Sequence, residues 1–386
     1  MRIERSSSIL SVASSRWVDI SYNTQPGWAA MAPMRDLLTE HSEVMGVNGQ
    51  GLVSRIDGVL AFAEKLLATN PTYARANPQV PERLKKIKEQ NRNYLAHEYF
   101  NRDWLPMPFS RMANWLAQAK LSYACPAHYL DHIDALNLTA EQQALLKEIP
   151  DAMFRQTVRD FCVNQQFRRD YWVKGPRRLG AVAQAEALRT QRVMLVLPRG
   201  DVSLKATGSL GEATMQEAVC GPILDVLATH QSKTLGEIEQ AVKEKNIAFP
   251  QVLQAVLVLI GTGALLAVLG DSSMMQAKPH TDKLNAFLCD KARGSAEISY
   301  LASPVTGGGV MVQRFAQLFL LAKAQGKKQP AEWAVFAWSI IAAQGQKLLK
   351  DGKALESEAD NLAELTALAN TFHEKQLPIL QALGVA

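Results

Sequence analysis

Apolar and polar residues alternate through Val18-Asp19-Ile20-Ser21-Tyr22, the two-residue period of a strand, and Asn23-Thr24-Gln25-Pro26-Gly27 behind it is turn chemistry. From Trp28 to His41 the pattern changes to helical spacing, with Met31, Met34, Leu37 and Leu38 on one face. A strand, tight turn and helix make sense only as part of a larger α/β sheet. Helices broken by Pro and Gly follow. Leu52–Ala68 stops at Asn70-Pro71, and Pro81–Phe100 opens with a proline suited to a first helical position. Ser110–Ala119 is amphipathic, Thr139–Lys147 starts with a capping signal (Thr139, then Glu141 and Gln142), and Met153–Gln166 is helical. Lys120–Ala124 and Arg169–Lys174 read as short strands.

The second half has a different pattern. Gln191–Leu197 and Asp201–Ala206 flank Pro198-Arg199-Gly200 as a hairpin would. Thr214–Ala228 is helical, with a kink expected at Gly221-Pro222. Next come a helix over Thr234–Glu244, capped by Thr234 with Glu237 three residues on, and a second over Pro250–Ile260. Gly261–Gly263 then turns into a strand at Ala264–Leu269, which completes the outline of a winged helix. After Pro279 the chain is helical over Thr281–Cys289, Val312–Ala324, Ala331–Ala343 and Asp360–Leu383, with the glycine-rich Ser303–Gly309 loop between the first two.

Composition narrows the function. With 47% apolar and 20% charged residues the chain is a folded protein and not a disordered one. A formal charge of +5 over 386 residues, with cations and anions interspersed, leaves no bulk-charge argument for nucleic acid. The second helix of the winged-helix outline has no Lys or Arg. Gln251 and Gln254 are its only polar groups, whereas phosphate contacts need cations. A packing and protein-contact module is the better reading, and a winged-helix nucleic-acid binder is the alternative. The four cysteines form no CxxC, which suits free thiols in a reducing, cytoplasmic setting. Val252–Leu269 is uncharged over 18 residues, but Gln254 and Gly261-Thr262-Gly263 divide it into soluble-core pieces, so no membrane span is expected. Near the start, Arg2 and Arg5 precede a Ser-rich stretch whose apolar run, Ile9–Ala13, is too short for a signal peptide.

The segment Tyr22–Trp28 is the most specific feature. Its Asn-Thr-x-Pro-Gly-Trp run sets a carboxamide, a hydroxyl and an indole at the carboxyl edge of a sheet, where open α/β sheets bind ligands. Tyr22, Asn23 and Trp28 are therefore the candidate substrate-binding residues. The plainer reading makes Pro26 and Gly27 turn residues and Trp28 a packing residue. Cys125, His128 and His132 have a zinc-like spacing, with the two histidines four apart on a helical face. Tyr129, Leu130 and Ile133 argue instead for a core helix, and no metal site is expected. His97 and Glu98 form a possible acid/base pair, but adjacent helical residues point about 100° apart, which favours a structural role for His97.

Ser21-Tyr22-Asn23-Thr24 followed by Pro26-Gly27-Trp28 resembles the segment after the SAM-binding half in class I methyltransferases that carry a regulatory domain, among them protein-lysine methyltransferases of intracellular bacteria. Tyr94-Leu95-Ala96-His97-Glu98-Tyr99-Phe100 resembles that domain's signature. Asp160 with Gln166-Phe167-Arg168, and Leu301-Ala302-Ser303-Pro304, are weaker likenesses. The resemblance implies a strand at Val18–Tyr22 that adjoins strands near Lys120–Ala124 and Arg169–Lys174, with the far edge of Val18–Tyr22 left unpaired and open to another chain. It also implies an N-terminal strand and glycine loop for SAM, for which there is no room before Val18. Gly46–Gly51 follows a helix, Gly261–Gly263 lacks the acidic residue expected farther on, and Gly307–Gly309 has no strand before it.

The expected fold is therefore mainly α with minor β: the remnant edge of a class I methyltransferase sheet, a helical regulatory domain, a winged-helix-like module and C-terminal helices. The expected segments are 1–44 (truncated strand-turn-helix), 45–130 (regulatory domain), 131–212 (middle segment with a sheet strand and hairpin), 213–275 (winged-helix-like module) and 276–386 (C-terminal helical domain). No cofactor is expected on this chain alone, although SAM serves the full-length family. The expected partner is protein, either a second copy or a SAM-binding methyltransferase half. The chain is then a protein-binding or dimerisation part without activity of its own; alternatively, it is the C-terminal half of a split enzyme.

Overall fold

The computed structural model describes residues 2–4, 17–46, 49, 51–101 and 103–386. The Ser-rich stretch with Ile9–Ala13, and Val47, Asn48 and Gln50 of the first glycine run, lie outside them. The chain divides into two compact units. Among the described residues, one holds 2–4, 17–128 and 137–176, and the other holds 129–136 and 177–386.

In the first unit, strands β1 (Arg2–Glu4), β2 (Trp17–Asn23), β3 (Leu121–Pro126) and β4 (Phe167–Lys174) form one antiparallel sheet in the order β1-β2-β4-β3. The three strands expected to adjoin do so. The edge expected to be open is covered, because Arg2–Glu4 pairs with Asp19–Ser21. Strand alternation buries Ile20 and Tyr22 of β2, and Arg168, Asp170 and Trp172 of β4. Register sets Tyr22 opposite Arg168 and Ile20 opposite Asp170, so two charges share the buried face with apolar neighbours. Helix α6 (Phe109–Gln118) packs Phe109, Met112 and Leu116 against that face.

A helical layer completes this unit: α1 (Ala32–Val44), α2 (Leu52–Ala68), α3 (Thr72–Ala76), α4 (Gln79–Lys88) and α5 (Arg92–Glu98). Met34 and Leu38 of α1, Ile56 and Leu60 of α2, Leu84 of α4 and Leu95 of α5 share its core. The continuous helix expected over Pro81–Phe100 is two helices. The Asn91 side chain accepts from the backbone N–H groups of Asn93 and Tyr94, so it starts α5 in a new direction. Arg35 is buried in α1 and ties it to the end of α5, donating to the Tyr99 carbonyl at 2.6 Å and to the Asn101 carbonyl.

In the second unit, Arg192–Leu195 is the central strand between Lys233–Thr234 and Leu265–Val268. Helices Glu217–Leu227, Leu235–Ala241 and Phe249–Gly261 bury Ile223, Leu224, Ile238, Val252 and Leu259 against it. The hairpin expected across Pro198-Arg199-Gly200 is not formed. Residues Arg199–Asp201 make a 3-10 turn, and the hairpin lies later, between Lys205–Gly208 and Gly211–Thr214. Both capping boxes read from sequence are present, at Thr139 with Gln142 and at Thr234 with Glu237. The uncharged stretch is the helix Phe249–Gly261 followed by the strand Leu265–Val268, and among the described residues no helix is long and apolar enough to cross a membrane. The helix expected to begin at Thr281 starts ten residues earlier, at Asp271, and carries Pro279 inside it. Helices Arg314–Ala324, Pro330–Ala343 and Glu358–Thr371 enclose Phe319, Trp333 and Leu365 in a separate core. Ser303, in the likeness at Leu301–Pro304, is buried and donates to the Leu383 carbonyl at 2.6 Å.

Candidate functional site

The end of β2 is held on two sides. The Thr24 and Gly27 N–H groups donate to the Gln166 and Gln165 carbonyls, both at 2.9 Å, while Met107 N–H donates to the Asn23 carbonyl at 3.2 Å. Thr24 is fully buried in this clamp. Gly27 is required there, because a Cβ would stand 2.4 Å from the Gln165 carbonyl oxygen and 2.6 Å from that of Asn164. The clamp fixes where the side chains before and after it point.

Tyr22 and Asn23 line a cleft of about 1020 Å³. Its other walls come from the end of α5 and the segment after it (His97, Glu98, Asp103, Trp104), from Met112 and Trp115 of α6, and from Phe167 of β4. Sequence reasoning separated these groups. It set Tyr22 and Asn23 at a sheet edge and assigned His97 a structural role, whereas the structure exposes both His97 and Glu98 on the cleft that Tyr22 and Asn23 line. The signal available was the spacing of Asn91, whose cap turns α5 toward the sheet. Trp28 stands apart from the other two of the expected trio. It is only 6% exposed and does not line this cleft, because its indole is packed edge-on by Trp104 at 5.0 Å and Tyr99 at 5.7 Å. It supports the wall from behind.

Under the cleft lies a buried ionic cluster that the sequence did not disclose. Arg168 donates to Asp160 at 2.6 Å, to Asp170 at 2.9 Å and to the Gln156 side chain at 3.0 Å, and its guanidinium lies 4.3 Å over the Phe109 ring. Tyr22 donates its hydroxyl to Asp170 at 3.1 Å, so the phenol in the cleft wall is anchored to the cluster. Burial, reinforced by the neighbouring carboxylates, pushes the Tyr22 phenol well above its ordinary range, and it stays protonated. Burial also pushes the Asp160 carboxyl up, to about 7, against the opposing pull of Arg168. Two carboxylates around one guanidinium favour retaining a proton. Within the cleft, Asn23, Glu98 and Asp103 make no side-chain hydrogen bond or ion pair among the described residues.

The zinc-like spacing is not on a helix. Cys125 lies in β3, and Tyr129–His132 is a 3-10 turn, so the four-residue spacing of His128 and His132 does not make a helical face. Among the described residues no group of three metal-ligating side chains comes together. Of the glycine runs, Gly261–Gly263 follows a helix, and Gly307–Gly309 joins the antiparallel strands Tyr300–Ala302 and Gly309–Met311.

A model of a predicted methyltransferase regulatory domain matches residues 91–174, the stretch from the α5 cap to the end of β4. The uncharacterized protein sll1526 of Synechocystis sp. is 39% identical over 369 residues, which is 96% of this chain and 71% of that protein. Two solved structures of PKMT2 from Rickettsia typhi share the fold. The complex with AdoHcy has a TM-score of 0.64 at 18% identity, and the other has 0.60 at 15%, each covering 96% of this chain and 75% of that one.

Proposed function

The chain belongs to the family of the Synechocystis protein sll1526 and carries a methyltransferase regulatory domain, and from that premise we propose that it is the acceptor-binding, protein-contacting part of a SAM-dependent protein methyltransferase, completed by a SAM-binding region outside these residues. One observation carries this reading: Tyr22 and Asn23, at the end of a sheet strand, open onto the same cleft as His97 and Glu98 of the regulatory domain. Methyl transfer to an amine needs the acceptor nitrogen held in place and relieved of its proton. Glu98 and Asp103 attract an ammonium group, Trp104, Trp115 and Phe167 wall its alkyl chain, and the His97 imidazole is at hand to accept the proton. The acceptor this lining suits is a lysine side chain. SAM would supply the methyl group from that region. The two glycine runs whose surroundings are described lie after a helix and within a hairpin, which supports assigning the SAM cradle elsewhere. We take the module of residues 213–275 to be winged-helix-like and a packing element, since its helix Phe249–Gly261 offers no cation to a phosphate.

The test is a titration of the purified chain, read by tryptophan emission, with a peptide containing one lysine and with its norleucine counterpart. The lysine peptide should bind, the norleucine peptide should not, and Glu98→Gln with Asp103→Asn should remove the difference. Equal binding of both peptides would sink the reading. Calorimetry with SAM is the companion measurement, and micromolar binding of SAM to this chain alone would overturn the division of labour.

A further inference from the structure

A second cavity, of about 590 Å³, lies on the other side of the Tyr22–Trp28 motif. Pro26 and Gly27 form one wall, α4 forms the facing wall with Arg83 and Lys86, and Tyr94 and Tyr99 also line it. We propose that this cavity is a binding site for a small organic anion, such as an aryl phosphate, with Arg83 and Lys86 holding the anionic group. The proposal stands apart from the acceptor cleft and needs no methyl transfer.

Arg83 is the central residue. Its guanidinium carbon sits 3.7 Å over the indole of Trp28, and that indole is itself fixed by Trp104 and Tyr99. Stacking occupies one face of the guanidinium and leaves its in-plane N–H edge to donate, which is the fork geometry that recognises carboxylate and phosphate. No carboxylate answers it, because Arg83 makes no hydrogen bond or ion pair among the described residues. Lys86 is three residues along α4, lines the same cavity and is equally unpaired among them. Two cations three apart on one helix repel each other unless an anion lies between them.

The one carboxylate of the lining, Glu82, is held by Lys85 at 2.7 Å, with the Lys86 charge a weaker influence on it. Tyr94 adds a hydroxyl donor: burial raises its phenol above the ordinary range, with Glu98 and Tyr99 adding to the rise and Arg83 opposing it. Ala30, Met31, Val80 and Ile87 supply apolar lining, so the cavity has room and surface for more than the anion itself. Those features together select a charged head joined to an apolar body over a bare inorganic ion.

The experiment is calorimetric titration of the full chain with phenyl phosphate, inorganic phosphate and phenol. Phenyl phosphate should bind most tightly, and raised salt should weaken it. Lys86 is exposed, so Lys86→Glu should fold normally and weaken phenyl phosphate about tenfold or more, while Lys353→Glu in the other unit should leave it unchanged. Arg83→Lys keeps the charge without the fork and should also weaken it. Binding of phenyl phosphate unaltered in Lys86→Glu, binding of inorganic phosphate as tight as phenyl phosphate, or binding of phenol as tight as either, would each overturn the proposal.

Discussion

Replacing Arg168 with methionine tests whether the buried cluster holds the sheet together. The side chain is 5% exposed and donates to Asp160 at 2.6 Å, Asp170 at 2.9 Å and Gln156 at 3.0 Å. Methionine fills a comparable space over Phe109 but leaves two carboxylates, each 1% exposed, without their cation. Removing one partner of a buried ion pair costs about 3–5 kcal/mol, because the remaining charge is stranded away from water. The carboxylates would respond by binding protons, so the loss should shrink as pH falls. The assay is amide exchange of the peptide covering β4, read by mass spectrometry, which reports local opening in this unit whatever the other unit does. Adding Asp160→Asn and Asp170→Asn to Arg168→Met should recover most of the loss, since amides are neutral and the new amide carbonyl at position 170 can still accept from Tyr22. A loss below about 1 kcal/mol in the single variant would refute the argument, as would a triple variant no more stable than the single one.

Three other outcomes follow from the same geometry. Asp160 has its carboxyl raised to about 7, so the stability it contributes is fully present at pH below its unfolded value near 4 and is lost as pH rises through about 7; the stability of the wild type relative to Asp160→Asn should fall by about 3 kcal/mol between pH 5 and 8, and a pH-independent difference would contradict it. Gly27→Ala drives a Cβ into the backbone of Asn164 and Gln165 and should cost about 2 kcal/mol or more in the first unit, measured by urea unfolding followed by tryptophan emission. Asn361 is fully buried, accepts from Leu348 N–H at 2.9 Å and donates to the Leu355 and Ser357 carbonyls, both at 2.7 Å, so Asn361→Ala should cost about 2–3 kcal/mol in the second unit, visible as faster amide exchange around residues 348–361.

What the sequence disclosed and what it hid divide along a physical line. Local signals were readable: the alternation at Val18–Tyr22, the turn chemistry of Pro26-Gly27, and the caps at Thr139 and Thr234 all concern neighbours within a few residues. The sheet's inward face was not. In Phe167–Lys174 the rule that apolar residues face inward fails at its start, with Phe167 46% exposed and Arg168 5%. Arg168 is buried because Asp160, eight residues away on the helix Ala152–Cys162, and Asp170 on its own strand converge on it, and no window of sequence shows that convergence. The likeness at Asp160 and Phe167-Arg168 marked the residues without their chemistry. The place of His97 and Glu98 was hidden for a different reason. Their mutual geometry was weighed, whereas what matters is where α5 delivers them after the Asn91 break. The Arg2–Glu4 strand was missed because three residues carry too little pattern to be read as a strand at all.

The seven residues from Tyr22 to Trp28 do three separate jobs, and their order explains why. While the chain is still a strand, successive residues face opposite ways, so Tyr22 reaches the ionic cluster with its hydroxyl, and the Asn23 amide at the strand's end makes no hydrogen bond among the described residues. Thr24 ends the pairing and is clamped, which stops the alternation and lets Pro26 and Gly27 swing to the wall of the second cavity. Only a residue without a side chain passes the Asn164–Gln165 backbone at that point. Trp28 then has nowhere to go but the core, where it is boxed by two aromatic rings and carries Arg83 on its face. The indole therefore shapes the site without lining the first cleft. Its place in the motif is set by the helical core it shares with α1, α2, α4 and α5, and a sheet-edge ligand would meet the residues before the clamp instead of those after it.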